Sequence, residues 1–168
     1  MKRHNTLIVT VEDRPGVLNR VASLFRRRGY NIDSLTVGHT AEPGVSRMTV
    51  VVNADDDTVR RLEANLYKLV NVLLVENVHE KGAVLRDLAL IKVRAGAAER
   101  AQVLQLLDVF RGRAIDVSAD NLIIEIVGTP DKIDGLVKVL EPFGVLEMVR
   151  TGAVAMTRGA ELRLVAAA

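Results

Sequence analysis

The sequence predicts an α+β protein built from two tandem units, each with the element order β-α-β-β-α-β. Two observations carry this prediction. Apolar residues switch between strand-like and helical spacing several times along the chain, and the whole order then runs a second time. A third observation sets the chemistry of the interior. Hydrophobic residues make up 49% of the 168 residues but aromatics only 3%, so the core is built from Val, Leu, Ile and Ala. An apolar share of this size excludes a disordered chain.

In the first unit, Thr6 to Val11 (TLIVTV) reads as a buried strand. Pro15-Gly16 opens a helical stretch in which Val17, Leu18, Val21, Leu24 and Phe25 recur at helical spacing. Proline suits a first turn because its missing N–H would be unpaired there anyway. Arg26, Arg27 and Arg28 fill the last turn, where cations complement the helix dipole, and Gly29 is the expected stop. Asn31 to Val37 and Ser46 to Val52 read as strands on either side of a turn-rich segment, Gly38 to Gly44. Asp55-Asp56-Asp57 then sits at the favoured end of a helix for negative charge. Val59, Leu62, Leu66 and Leu69 share one face of that helix, and Val72 to Val75 closes the unit as a fourth strand. This is the ferredoxin-like arrangement.

The second unit repeats the order without obvious sequence identity. Leu88 to Val93 is a strand, and Ala98 to Phe110 a helix with Val103, Leu106, Leu107 and Phe110 on one side. Arg111-Gly112 ends it. Ala114 to Val117 and Leu122 to Val127 are strands joined by a polar turn, Ser118 to Asn121. Thr129-Pro130 forms a cap and first-turn pair. Ile133, Leu136, Val137 and Leu140 mark the last helix, and Val145 to Met156 supplies one or two final strands. The expected domains are therefore residues 1–78 and 84–159, with a hinge near Glu76 to Ala83 and a tail over 160–168.

Several function classes are excluded. There is no cysteine, which removes disulfides, thiolate metal sites and cysteine nucleophiles and makes the cytoplasm the expected setting. The apolar run near the start is too short for a signal peptide. Nowhere do about 18 apolar residues run together, so no membrane span is expected. Formal charge is 23 − 21 = +2, an excess too small to attract nucleic acid or anionic lipid strongly. RNA-binding domains of this topology expose aromatics on their central strands, and DSLTV and SRMTVVV carry none. His4, His39 and His79 have no metal-ligand spacing, so neither a metal site nor a catalytic residue is assigned. An acylphosphatase-like hydrolase would need an arginine cradle with an asparagine; Arg14 or Arg20 with Asn31 imitates it poorly, because that family's loop is richer in glycine. Open sheet edges and faces in small units favour a homo-oligomer.

One loop carries candidate binding chemistry: Glu12-Asp13-Arg14-Pro15-Gly16. It joins a strand to a helix N-terminus, where unpaired N–H groups can hold a carboxylate, and Gly16 allows close approach to the backbone. Asp13 can accept an ammonium, and Asn31 supplies a donor and an acceptor. Together these fit the two ends of a free amino acid. The plainer reading is that Asp13 and Pro15 only start a helix and Asn31 only begins a strand; spacing leaves both readings open.

The stretch VEDRPGVLNRVASLFRRRGYNIDSLTVGHT resembles the opening of an ACT domain. RGYNIDSL (Arg28 to Leu35), SRMTVVV (Ser46 to Val52), KLVNVLLV (Lys68 to Val75), RDLALIKV (Arg86 to Val93), FRGRAIDVS (Phe110 to Ser118) and TGAVAMTRG (Thr151 to Gly159) resemble, in order, landmarks of the acetolactate synthase small-subunit family. The resemblance covers all but the tail from Ala160. It implies an N-terminal ACT domain followed by a second ferredoxin-like domain. It further implies a homodimer through the ACT domains, with valine (sometimes isoleucine or leucine) held at that interface in feedback control of branched-chain amino acid biosynthesis. The implied partner is a catalytic subunit carrying thiamine diphosphate, Mg²⁺ and FAD, none of which this chain is expected to bind. The implied effector motif falls on the loop of Asp13, Arg14, Pro15, Gly16, Val17 and Leu18, with Asn31 and Ile32 facing it across the dimer. Asp13 departs from the asparagine also familiar there.

Overall fold

The structure, a computed structural model, describes residues 3–78 and 82–159. His79, the middle of the expected hinge and the tail over 160–168 lie outside the described residues. The chain divides into two compact units. Among the described residues, one comprises those from Arg3 to Val84 together with Val154 to Gly159, and the other is Leu85–Ala153.

In the first unit the elements are β1 (Arg3–Glu12), α1 (Val17–Arg27), β2 (Ser34–His39), β3 (Val45–Ala54), α2 (Asp56–Leu66) and β4 (Val72–Asn77). The strands form an antiparallel sheet in the order β2-β3-β1-β4. Strand periodicity sends Leu7, Val9 and Val11 of β1 and Met48, Val50 and Val52 of β3 to one face. There they meet Val17, Val21, Leu24 and Phe25 of α1 and Val59, Leu62 and Leu66 of α2. Each such side chain stabilises the fold by about 1.5–3 kcal/mol.

The helix ends show how sequence sets these bounds. Gly29 takes φ +70; its N–H reaches Arg26 O at 3.1 Å and that of Tyr30 reaches Phe25 O at 3.0 Å. These two bonds satisfy carbonyls that the helix would leave unpaired. At the start of α2, the Asp55 carboxylate accepts the Thr58 N–H at 2.8 Å, as an N-cap should. β2 begins at Ser34 rather than at Asn31, as the sequence suggested. Asn31 instead donates its side-chain amide to Asp33 Oδ1 at 3.2 Å, and pairing with β3 starts at Ser34↔Val51.

The second unit contains most of β5 (Ala83–Arg94), then α3 (Arg100–Phe110), β6 (Arg113–Val117), β7 (Asn121–Gly128), α4 (Pro130–Leu140), a 3₁₀ turn (Glu141–Phe143) and β8 (Val145–Arg150). The sheet order is β6-β7-β5-β8. Ala89, Ile91, Val93, Leu122, Ile124 and Ile126 pack against Val103, Leu107, Ile133, Leu136 and Leu140 of the two helices. Two local expectations hold with a change of detail. The left-handed residue that stops α3 is Arg111, at φ +54, while Gly112 lies where an added Cβ would meet Glu125 O at 3.4 Å. Thr129 has the extended backbone of a cap but makes no side-chain capping bond. Asp87, only 4% exposed, anchors the start of β5. It accepts Arg150 Nε at 2.8 Å and Thr151 Oγ1 at 3.1 Å.

The last strand, β9 (Val154–Thr157), pairs with β5. Sequence reading kept it with the second unit, and it joins that sheet through β5, although its other contacts group it with the first unit. The reason is local: Arg158 N–H donates to Gly82 O at 3.2 Å, and the Arg47 guanidinium of β3 donates to Ala155 O at 3.0 Å. No helix among the described residues is long and apolar enough to cross a membrane.

Two measurements test this account. Replacing Asp87 by alanine removes the buried partner of Arg150 and leaves it only the exposed Asp134, 2.6 Å away, which should cost about 1.5–3 kcal/mol of unfolding free energy in denaturant melts. A loss under about 1 kcal/mol would show the clamp to be incidental. Second, the Thr58 N–H lowers the Asp55 pKa below its ordinary value of 3.8. A depressed folded pKa gives stability that is full above the ordinary value and lost as pH falls through the folded value. The melting-temperature gap between the parent and Asp55→Ala should therefore hold at neutral pH and close in acid.

Candidate effector-binding site

The loop from Asp13 to Gly16 connects the end of β1 to the start of α1. Gly16 occupies the N-cap position in a left-handed conformation, φ +83, and no side chain caps the helix. The first turn holds no acidic residue either, in contrast to α2 with Asp56 and Asp57 behind its cap. The Val17 N–H reaches Arg14 O at 3.3 Å, but the N–H groups of Gly16, Leu18 and Asn19 find no acceptor among the described residues. The positive end of the α1 dipole is thus left open to a negatively charged group.

Each loop residue has a defined setting. The Asp13 N–H donates to Gly44 O at 2.8 Å, and its carboxylate lies 3.2 Å from His39 Nδ1. Pro15 is exposed, Val17 is buried in the core, and Leu18 is 44% exposed, leaving an apolar surface beside the open N–H groups. Arg14 Nε stands 3.4 Å from Glu12 Oε2. The same Glu12 oxygen accepts Asn71 Nδ2 at 2.6 Å, and Asn71 Oδ1 accepts Arg20 Nη1 at 2.6 Å. A backbone bond, Glu12 N–H to Asn71 O at 2.9 Å, runs beside them. Asn71 is 8% exposed.

The chain brings Asp13 to Leu18 together but not Asn31 and Ile32. Asn31 is bonded to Asp33, which lies 3.2 Å from His4 at the opposite end of β1. From His4 to Glu12 the strand advances by about 26 Å. Ile32 is partly buried against the first core. Sequence reading missed Glu12, Arg20 and Asn71 as partners. No spacing signal links Asn71 to Glu12, because the contact exists only once β4 has paired with β1. No group of three or more His, Asp or Glu among the described residues is arranged to hold a metal.

The second unit differs at the matching place. Arg100 Nη2, at the start of α3, donates to Ala95 O at 3.2 Å, Ser118 O at 2.6 Å and Ala119 O at 2.7 Å. A guanidinium cross-links the loop end there.

A four-stranded antiparallel sheet backed by two helices, with an uncapped helix start at the end of its central strand, makes the first unit an ACT domain. Residues 7–74 match the family described as AHAS small subunit-like ACT domain, and residues 86–159 match the small subunit of acetolactate synthase. Over 155 residues the chain is 48% identical to the acetolactate synthase small subunit of Mycolicibacterium smegmatis, covering 92% of this chain and 91% of that protein. It is 46% identical to the probable acetolactate synthase small subunit of Archaeoglobus fulgidus, covering 92% and 97%. The crystal structure of the acetolactate synthase small subunit from Thermotoga maritima matches with a TM-score of 0.84 and 41% identity, covering 95% of this chain and 99% of that one. The chain belongs to the acetolactate synthase small-subunit family and is an ACT-type regulatory subunit.

At Gly16 an added Cβ would meet nothing within 4 Å, so the cost of a side chain is conformational alone. Gly16→Ala should lose about 1–2 kcal/mol in denaturant unfolding, the penalty of a left-handed residue with a Cβ. An unchanged midpoint would mean that the loop can relax to negative φ.

Proposed function

We propose that this chain binds L-valine across a dimer of its ACT domains and so sets the activity of the acetolactate synthase catalytic subunit. The observation that carries the reading is the uncapped N-terminus of α1 beside the Asp13 carboxylate. The effector carboxylate sits on the free N–H groups at Gly16, Leu18 and Asn19, its ammonium on Asp13, and its side chain against Leu18.

The sheet order supports a shared site. β2 is an edge strand of its sheet, and sheet edges are ready templates for pairing with another chain. If two β2 strands pair antiparallel about a twofold axis, the Asn31 end of one copy lies beside the His39 end of the other. His39 is already paired with Asp13. Asn31 and Ile32, distant from the loop within one chain, then reach it from the second copy and complete the pocket.

Control follows as a population shift: effector bound between two copies favours one pairing geometry over another. Without valine the subunit stimulates its catalytic partner; with valine it withdraws that stimulation, giving feedback in branched-chain amino acid biosynthesis in the cytoplasm. Thiamine diphosphate, Mg²⁺ and FAD belong to the catalytic subunit in this reading.

Acetolactate formation by the cognate catalytic subunit, measured with and without this protein across a valine titration, tests it. Stimulation reversed by valine is expected. Gly16→Asp, which sets a negative charge where the effector carboxylate binds, should make the complex insensitive to valine. Parent-like inhibition of that variant would remove the loop from the effector site.

A further inference from the structure

We propose that Asn71 is a positioning residue of the effector loop, acting through Glu12 and Arg20. The inference rests on the reading of this loop as an amino-acid site. It starts from a problem of charge. Glu12 immediately precedes the loop, and a free carboxylate there would repel the carboxylate that the α1 N-terminus is open to receive.

The structure resolves this with a single buried amide. A guanidinium only donates and a carboxylate only accepts, so Arg20 and Glu12 fix which end of Asn71 faces which. Its oxygen takes Arg20 Nη1 at 2.6 Å, and its nitrogen gives to Glu12 Oε2 at 2.6 Å. Arg20 lies in the first turns of α1 and Glu12 at the last residue of β1. One side chain just ahead of β4 therefore ties down both flanks of the loop. Arg14 adds a second cation to Glu12, at 3.4 Å. The result is a loop flank whose negative charge is engaged by the Asn71 amide and Arg14, with the α1 N–H groups left open.

The test exploits the amide's polarity. Asn71→Asp keeps the shape and the acceptor for Arg20, but sets a second carboxylate against Glu12. Glu12→Gln combined with Asn71→Asp restores a donor–acceptor pair in the reverse sense, since the introduced glutamine amide can donate to the introduced aspartate carboxylate. L-valine binding to the full chain is followed by titration calorimetry, with a thermal melt of each protein alongside. Asn71→Asp should weaken valine binding about tenfold, as expected for a hydrogen bond to a charged group turned into a repulsion. The double variant should return to within about twofold of the parent, because it regains a hydrogen bond to a charged group. If Asn71→Asp binds valine like the parent, the inference falls. If the double variant stays as weak as the single one, or recovers melting temperature without recovering valine binding, Asn71 serves only the fold and the inference falls as well. If the parent itself shows no valine binding, the effector reading of the loop fails first and takes this inference with it.

Discussion

The arrangement of the first unit depends on β1 being hydrogen-bonded on both sides to its last residue. β3 pairs with it from Arg3↔Ala54 through Glu12↔Val45, and β4 pairs from the other side as far as Val11↔Val72. Beyond the ladder two more backbone bonds continue the grip, Glu12 N–H to Asn71 O and Asp13 N–H to Gly44 O. The chain leaves the sheet at a fixed point and must turn within Asp13 to Gly16 to start α1. That turn needs a left-handed residue, glycine supplies it, and a glycine cannot cap the helix with a side chain. The open helix terminus is therefore a geometric result of a rigid strand followed by a very short connection.

Most of this fold was legible in the sequence, because both periodicities are clean in a chain with few aromatics. The apolar run TLIVTV and the helical spacing of Val17, Val21, Leu24 and Phe25 both point to a shared core. Gly29 was readable as a stop since only the preceding arginine run competes with it. The end of α3 at Arg111-Gly112 was readable too, but not that Arg111 takes the left-handed conformation in place of Gly112, where an added Cβ would meet Glu125 O of β7. The start of β2 was misread because Asn31 and Asp33 satisfy each other locally before the ladder begins. At the proposed site, Glu12 to Gly16 stand out from their place between a strand and a helix, whereas Val17 and Leu18 entered only through the family resemblance. Asn71 could not be found in this way, since its role lies in a contact 59 residues distant in sequence.

The two units share an order of elements but treat the strand-to-helix connection differently. In the first, charged side chains near the loop are drawn to its flank, where Glu12, Asn71 and Arg20 bind one another. In the second, Arg100 turns into the connection and ties Ala95 to Ser118 and Ala119. The duplication preserves the scaffold, while a few polar side chains decide whether that end is left accessible or laced shut.

The grouping of Val154 to Gly159 with the first unit makes that unit discontinuous along the chain, with Leu85–Ala153 inserted between its parts. During synthesis the inserted unit emerges as one uninterrupted segment and can fold from contacts of its own. The first unit receives β9 only after the ribosome has finished every residue of the insertion. A nascent chain halted after Val84 thus carries every strand of the β2-β3-β1-β4 sheet but not yet β9, so the docking of β9 marks that the inserted segment has already been made.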